Sequence, residues 1–479
     1  MRAAADECLT PAGAPLEYAE VAVVGGVPTH VRACAGRAAA RARELGKAVM
    51  DGETARVRVA FAPYRACPLG AHVDHQGGTV TGFALNEGVV VAFAHGPPTG
   101  EFEGVVHSEF APDNPVTFRK GSPAWPDGGH GVSGWHRYVR GAAELTRTGW
   151  AQPAGKFVAV VCTTTDGLHG QGVSSSAALT AALAAAMLDN ASGGKGPTAD
   201  TLVNICRAVE NKFCGLSCGI LDMAVIVNAR KDHVVKIDCR LHESGAPLSK
   251  AVTLVPCGGN TEALLVFSGV RSNLAAENGG PSPYNQRVDE CRRAATHLMT
   301  LGKQDDSAHS LSDVSATRYE QGIGALAAEH PALARRAEHF FGEKDRVVKG
   351  VAALESGNLA EVGALVTQSG MSSIHKYECG CAPLRTLFDT LTKDPRVFGA
   401  RYSGAGFRGA VLALCKPGEG DAAGRAALDV FRDKYPEYGS DATHIVCGLE
   451  HGLVVFDGED AMPPVLEGRL ETPPGLTGV

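Results

Sequence analysis

The sequence lacks an apolar run long enough to span a bilayer. The longest, Ala177–Leu188, covers twelve positions, against the roughly 20 that a spanning helix needs, so no membrane partner is expected. It also lacks a basic run. Forty-five Lys and Arg face 52 Asp and Glu, for a net charge of −7, which argues against nucleic acid as a partner. The 14 cysteines include no Cys-x-x-Cys pair, and the tightest spacing is Cys379-Gly-Cys381. A zinc ribbon or a secreted disulfide framework needs better spacing than that. Cysteines inside apolar runs, such as Cys162 in Phe157–Cys162, read as free buried thiols in a reducing compartment. The N-terminus has no signal-peptide core and carries Asp6 and Glu7, so the cytoplasm is the expected location. The Arg-rich stretch Arg32–Arg43 reads as a surface helix, with an organellar address as the alternative. There is no Gly-x4-Gly-Lys-Ser/Thr element, which excludes a Walker-type nucleotide site.

What is present is a soluble, globular balance: 44% hydrophobic and 20% charged residues over 479 positions, enough for two or three domains. The 59 glycines follow no triplet period, so collagen is excluded. Residues 1–55 are Ala/Arg-rich, carry no chemical motif and read as a weakly organised extension. An organised domain is expected over residues 56–257, a second over 258–460, and a flexible Pro/Gly-rich tail over 461–479. Pro256–Asn260 is the linker candidate. Strands are expected at Val57–Phe61, Gly88–Phe93, Phe157–Cys162, Leu264–Phe267, Phe398–Tyr402, Ala410–Cys415 and Leu453–Phe456. Helices are expected from Ser176 to about Asn190, over Thr201–Phe213, from Leu221, and over Asn285–Met299, Pro331–Ser356 and Pro383–Thr392.

Four segments can carry chemistry. In the first, Gly170-Gln171-Gly172-Val173-Ser174-Ser175-Ser176-Ala177, a glycine loop and three hydroxyls open an alanine-rich helix. Free N–H groups and the positive end of the helix dipole suit a phosphate there, and the serines can cap the helix or ligate a metal. The alternative is an ordinary N-cap. The second follows a strand and crowds Arg65, His72, Asp74 and His75 into a short stretch. Asp and His can hold sugar hydroxyls and Arg a phosphoryl oxygen. A metal site and a plain surface loop are the rivals. In the third, Cys218–Asp222, a carboxylate sits in an apolar segment and needs a partner, either functional or structural. The fourth, Ser403–Gly409, holds Gly404, Gly406 and Gly409 in a Gly-x-Gly-x-x-Gly pattern. A strand follows it rather than a helix, which argues against a dinucleotide site.

Together these segments resemble the galactokinase branch of the GHMP small-molecule kinases. Arg65–Gly78 is similar to the family's first motif, Gly170–Ala178 to its phosphate-binding second motif and Ser403–Gly409 to its third. Ala208–Phe213 with Cys218–Asp222, Ser268–Arg271, Tyr284–Arg287, Arg335–Gly350 and Tyr377–Leu384 are also similar, so the resemblance runs over about residues 57–457. It implies an α/β (α+β) two-lobed fold, with an N-terminal lobe like the S5 domain, a ferredoxin-like C-terminal lobe and a site between them. Within the branch, the first motif most resembles that of the galacturonate-phosphorylating members. Galactokinases usually have Gly-Glu-His-Thr-Asp-Tyr, whereas this chain has Gly70-Ala-His-Val-Asp-His75. The family Glu accepts a bond from the sugar's 6-hydroxyl. A galacturonate has a carboxylate there, and two carboxylates about 4 Å apart repel by roughly 4 kcal/mol at an effective dielectric near 20.

The resemblance implies ATP-dependent phosphorylation of the anomeric hydroxyl of D-galacturonate. Asp222 and Arg65 would be catalytic. Gly170 through Ala177 would cradle ATP. Ser176 and Glu210 would hold Mg²⁺. Ala71, His72, Asp74, Tyr284 and Gly404 would face the sugar. Arg271, His75 and Arg408 are candidates for the acid group. The alternatives are a galactokinase, an arabinokinase-like enzyme, or a non-catalytic sugar and ATP sensor. A monomer is the default expectation.

Overall fold

A computed structural model of the chain describes residues 27–49, 56–98, 100–119, 134–149, 154–165, 168, 170–189, 196–257, 262–270, 282–300 and 309–458. The tail expected over 461–479 and Arg271 lie outside these residues. The described chain begins with a helix, α1 (Thr29–Val49). Four strands follow, β1 (Val57–Ala66), β2 (Thr79–His95), β3 (Glu103–Ser108) and β4 (Val116–Phe118). After them come α2 (His136–Gly149), β5 (Lys156–Thr163), α3 (Ser175–Leu188), α4 (Ala199–Ala208), α5 (Leu221–Asn228), β6 (His233–Asp238) and β7 (Val252–Pro256). These strands, joined at the edge by β12 (Val454–Asp457) from the far end of the described chain, form one sheet in the order β12-β1-β2-β5-β3-β4, with β6 on β2 and β7 on β6.

The long β2 serves both branches of that sheet. Its second part pairs with β1 and β5, and its first part, Thr79–Gly82, pairs with β6. One face of the sheet is covered by α3, whose residues Ala177–Leu188 are all buried. A helix that is apolar all round belongs inside a core, and here alanine lets it sit close to the strands. The other face carries α1. Residues 29–49, read from composition as part of a weakly organised extension, instead lay Val31, Cys34, Ala35, Ala38, Ala39 and Ala42 against Val59, Val90, Ala92 and Val158. A stripe of small side chains suffices to seat a helix on a sheet but gives a weak hydrophobic signal. The arginines of this helix are on its less buried side, in keeping with a surface helix.

The second part of the chain contains β8 (Glu262–Phe267), α6 (Pro283–Thr300), α7 (Ala316–Glu329), α8 (Pro331–Glu355), α9 (Leu359–Ser372), α10 (Ala382–Leu391), β9 (Val397–Tyr402), β10 (Ala410–Cys415), α11 (Gly420–Lys434) and β11 (Thr443–Cys447). Its sheet is antiparallel, in the order β11-β8-β10-β9. The glycine run Gly404–Gly409 joins β9 to β10, so a strand does follow it and no dinucleotide-type helix is there. The last strand, β12 (Val454–Asp457), returns to the first sheet and pairs with β1. The described cysteines are free thiols, each buried or half-buried. Among the described residues no helix is long and apolar enough to cross a membrane.

Candidate active site

A cleft of about 530 Å³ opens between the two parts. Arg65 comes from the end of β1, Ser174 from the loop before α3 and Asp222 from the first turn of α5. Arg65 is 3% exposed, and its Nε and Nη2 reach Asp222 Oδ1 at 2.8 and 2.7 Å. Ser174 donates its hydroxyl to Asp222 Oδ2 at 2.5 Å. Both carboxylate oxygens are therefore engaged, and the group is held in one plane at a helix N-terminus, where the dipole favours negative charge. Ser174 has a φ of +59°. A non-glycine residue in that region is uncommon, and such outliers cluster at functional sites.

Glu210 belongs to a wide π-type turn, Val209–Phe213, that continues α4. The sequence read this stretch as the end of a plain helix. The wider turn buries Glu210, and Ser176 donates to its Oε1 at 2.7 Å. Burial, and then the charge of Asp222, push the Glu210 carboxyl up to about 7. Asp74, whose Oδ2 accepts the Leu221 N–H at 3.3 Å, is pushed up to about 6 by the same two causes in the same order. Three carboxylates thus share a cleft with Arg65. Hard oxygen donors are what a magnesium-like ion takes, and the hydroxyl of Ser176 beside the Glu210 carboxylate fits that donor set. A separate cluster of metal-capable side chains, His297, Glu329 and His330, lies outside this cleft.

Of the residues singled out in the sequence, Arg65, Ala71, His72, Asp74, Gly170, Gly172, Ser174, Ser175, Ser176, Glu210, Asp222, Tyr284 and Gly404 line the cleft. Gln171, Val173 and Ala177 do not; they are buried behind it, and the Val173 carbonyl accepts the Arg65 backbone N–H. Arg408 lines the cleft and His75 does not. The ring nitrogens of His75 are already engaged. Gln76 Oε1 accepts the Leu311 N–H, so its amide nitrogen faces His75 Nδ1 at 3.1 Å. That leaves Nε2 carrying the proton and donating to the Tyr377 hydroxyl at 3.2 Å. Burial lowers the His75 pKa to about 3, so the ring is neutral.

Sequence reasoning missed one end of the cleft. Trp135, Tyr138 and Phe110 line it there, with Trp135 edge-on to Phe110 at 5.5 Å. The Trp135 indole nitrogen is buried without a hydrogen-bond partner among the described residues. An aromatic pocket end with a spare donor suits a heteroaromatic ring. Trp135 is one of only three tryptophans, which was the one available signal.

Residues 137–230 match the family described as GHMP kinases N terminal domain, and residues 351–433 match GHMP kinases C terminal. The chain belongs to this family and is a sugar kinase. Among curated relatives it is 36% identical over 409 residues to the galacturonokinase of Arabidopsis thaliana, spanning 82% of this chain and 92% of that one. It is 29% identical to the human galactokinase over 82% of this chain and 91% of that one. The galactokinase of Lactococcus lactis, solved with galactose, matches with a TM-score of 0.72 and 25% identity, over 87% of this chain and 99% of that chain.

Proposed function

We propose that the chain transfers the γ-phosphoryl group of ATP to the anomeric hydroxyl of D-galacturonate, giving 1-phospho-α-D-galacturonate and ADP. The observation that supports this substrate is Ala71. It lines the cleft beside His72 and Asp74 with a methyl group, at the position where galactokinases usually have a carboxylate. A neutral wall there admits an acid group that a carboxylate would repel. The 36% identity to a galacturonokinase points the same way. Of the cationic candidates for the acid group, Arg408 is the described residue that lines the cleft.

In this reading Asp222 takes or orients the proton of the anomeric hydroxyl. The sugar oxygen forms a bond to the γ-phosphorus as the bond to the β-phosphate oxygen breaks, and ADP leaves. Arg65 pairs with Asp222 and offers the N–H groups not spent on Asp222 and the Gly172 carbonyl to the transferring group. Backbone N–H groups of 170–176 meet the nucleotide phosphates at the start of α3. Trp135 and Phe110 receive the adenine ring. Ser176 and Glu210 would hold Mg²⁺, which would neutralise phosphate charge when bound. Asp74, His72 and Tyr284 read sugar hydroxyls.

The test is ADP release measured side by side with galacturonate, galactose and arabinose. Preference for galacturonate by at least an order of magnitude in kcat/KM supports the reading. Preference for galactose or arabinose replaces it with the corresponding sugar 1-kinase. No sugar-dependent ADP release would make the protein a sensor.

A further inference from the structure

Residue 71 is gripped from behind by a helix of the other half of the molecule. The N–H of Gly70 donates to Glu343 Oε2 at 2.8 Å, and the carbonyl of Ala71 accepts from His339 Nε2 at 2.9 Å. Both side chains come from α8, and both are shut off from solvent, at 0 and 1% exposure. Neither lines the cleft. Since a carbonyl can only accept, His339 carries its proton on Nε2, and Nδ1 then accepts from the Ser372 hydroxyl at 2.9 Å. The ring is thereby fixed as one neutral tautomer.

Glu343 is anchored in turn. Its Oε2 also accepts from Ser369 Oγ at 3.0 Å, and its Oε1 meets Arg346 at 2.7 Å. Ser369 accepts from the buried Arg401 at 2.8 Å. The segment that this assembly holds is unusual in itself. Gly70 has a φ of +82° and His72 one of +61°, so Ala71 sits between two left-handed residues. His72 stacks on Tyr377 at 4.2 Å and 8°, and Tyr377 packs against His339 at 5.1 Å. An ionised cluster this deeply buried, with only Arg346 partly reaching solvent, is costly relative to apolar packing of the same volume. Its retention against this backbone is explained by orientation: two bonds flank residue 71, and together they set where its side chain and that of His72 point.

We propose that His339 and Glu343 are positioning residues for sugar recognition, acting through the backbone of residues 70–72 and not by touching substrate. This rests on the reading that residue 71 faces the sugar's acid group. The segment they hold belongs to the sugar side of the cleft and not to the loop before α3 that meets the nucleotide, so their loss is felt by the sugar more than by the nucleotide.

The experiment compares H339L, H339Q, E343Q and the unsubstituted enzyme in kcat and KM for galacturonate, galactose and ATP, with thermal unfolding as a control on folding. H339Q keeps an N–H donor close to the Nε2 position, whereas H339L keeps only bulk. Expected for H339L and E343Q is a rise of about tenfold in sugar KM with ATP KM within about twofold, and a galacturonate-to-galactose kcat/KM ratio reduced at least about fivefold. H339Q should recover most of that loss. Equal behaviour of H339L and H339Q, or equal loss for ATP and sugar, overturns the proposal. If H339L does not fold, E343Q and H339Q carry the test, and an unchanged sugar ratio in E343Q overturns it. Should the unsubstituted enzyme prefer galactose, the substrate reading fails on its own. The selective rise in KM for whichever sugar is used, and its rescue by glutamine, still decide the role of the pair.

Discussion

Among the contacts that join the two halves of the molecule, two beside the cleft are built in opposite ways. At one, the glycine loop of the second half lies directly on the loop that precedes α3. A Cβ on Gly404 would come within 2.7 Å of the Gly172 carbonyl oxygen, and one on Gly409 within 2.6 Å of Gln171. Ser403 adds a bond from its hydroxyl to the same Gly172 carbonyl at 2.8 Å. At the other contact, side chains of α8 reach the backbone of residues 70 and 71. The first contact depends on the absence of side chains, the second on two particular ones. A backbone-to-backbone contact carries no charge and can slide by small amounts, which suits a loop that closes on a nucleotide. A contact through a buried carboxylate and a fixed imidazole tautomer is directional, which suits discrimination between sugars.

Asp222 sits between the two contacts, so its removal should cost the most and distinguish neither. Asp222→Ala is expected to lower kcat by about a thousandfold or more, while calorimetry still detects ATP binding. Near-normal turnover would remove Asp222 from the mechanism.

Ala71→Glu sharpens the contrast on the sugar side. A second carboxylate near the sugar's acid group adds repulsion of up to about 4 kcal/mol, or about a thousandfold in rate. The expected result is a loss of about a hundredfold to a thousandfold in kcat/KM with galacturonate and a far smaller loss with galactose. Equal losses for the two sugars would defeat the charge account and assign the effect to bulk at position 71.

Gly404→Ala probes the other contact. Its φ is +65° and its Cβ would strike Gly172, so the loop must shift. About 1–2 kcal/mol of stability should be lost, and ATP KM should rise about tenfold. An unchanged ATP KM would mean that this loop does not close on the nucleotide.

This division also explains what could be read in advance. Glycine contacts leave a mark in the sequence because only one residue type fits, and the runs at 170–172 and 404–409 are visible as letters. Arg65 and Asp222 were legible too as candidate site residues, since each lies in a segment that resembles a motif of the family. The grip on residue 71 was not. Glu343 and His339 fall in a helix rich in charge, where charges usually face water, and 272 positions separate Glu343 from Ala71. Nothing local distinguishes them from Lys344 or Asp345 on the same helix, the latter exposed in an ion pair with Lys349. The seating of α1 was hidden for a related reason: alanines at a close helix–sheet contact look like mere helix formers. Glu210 was assigned to a regular helix because a π-type turn changes the angle between neighbours without changing composition.

A further effect is on stability, and it separates the two contacts by pH. Asp74 lies on the sugar side and has its carboxyl raised from 3.8 to about 6, first by burial and then by Asp222, with bonds from Leu221 and His75 and the charge of Arg207 acting in the opposite sense. Between those two values the folded protein holds a proton that the unfolded chain has released. Stability therefore falls as pH rises through this window, and the ionised carboxyl is a net cost above about 6. Asp74→Asn keeps an acceptor for the Leu221 N–H and removes the charge. At pH 7 the variant should be more stable by on the order of 2 kcal/mol, with the gain vanishing below pH 4, while its kcat/KM for sugar collapses. In the unsubstituted enzyme, sugar KM should rise as pH drops below about 6, because a protonated carboxyl is a poorer acceptor for sugar hydroxyls. Denaturant unfolding at pH 4, 5, 6 and 7 beside kinetics at pH 5.5 and 7.5 measures both. A variant no more stable than its parent at pH 7 would mean that the charge of Asp74 is already compensated inside the cleft, and the sugar side would then share the electrostatic neutrality of the glycine contact.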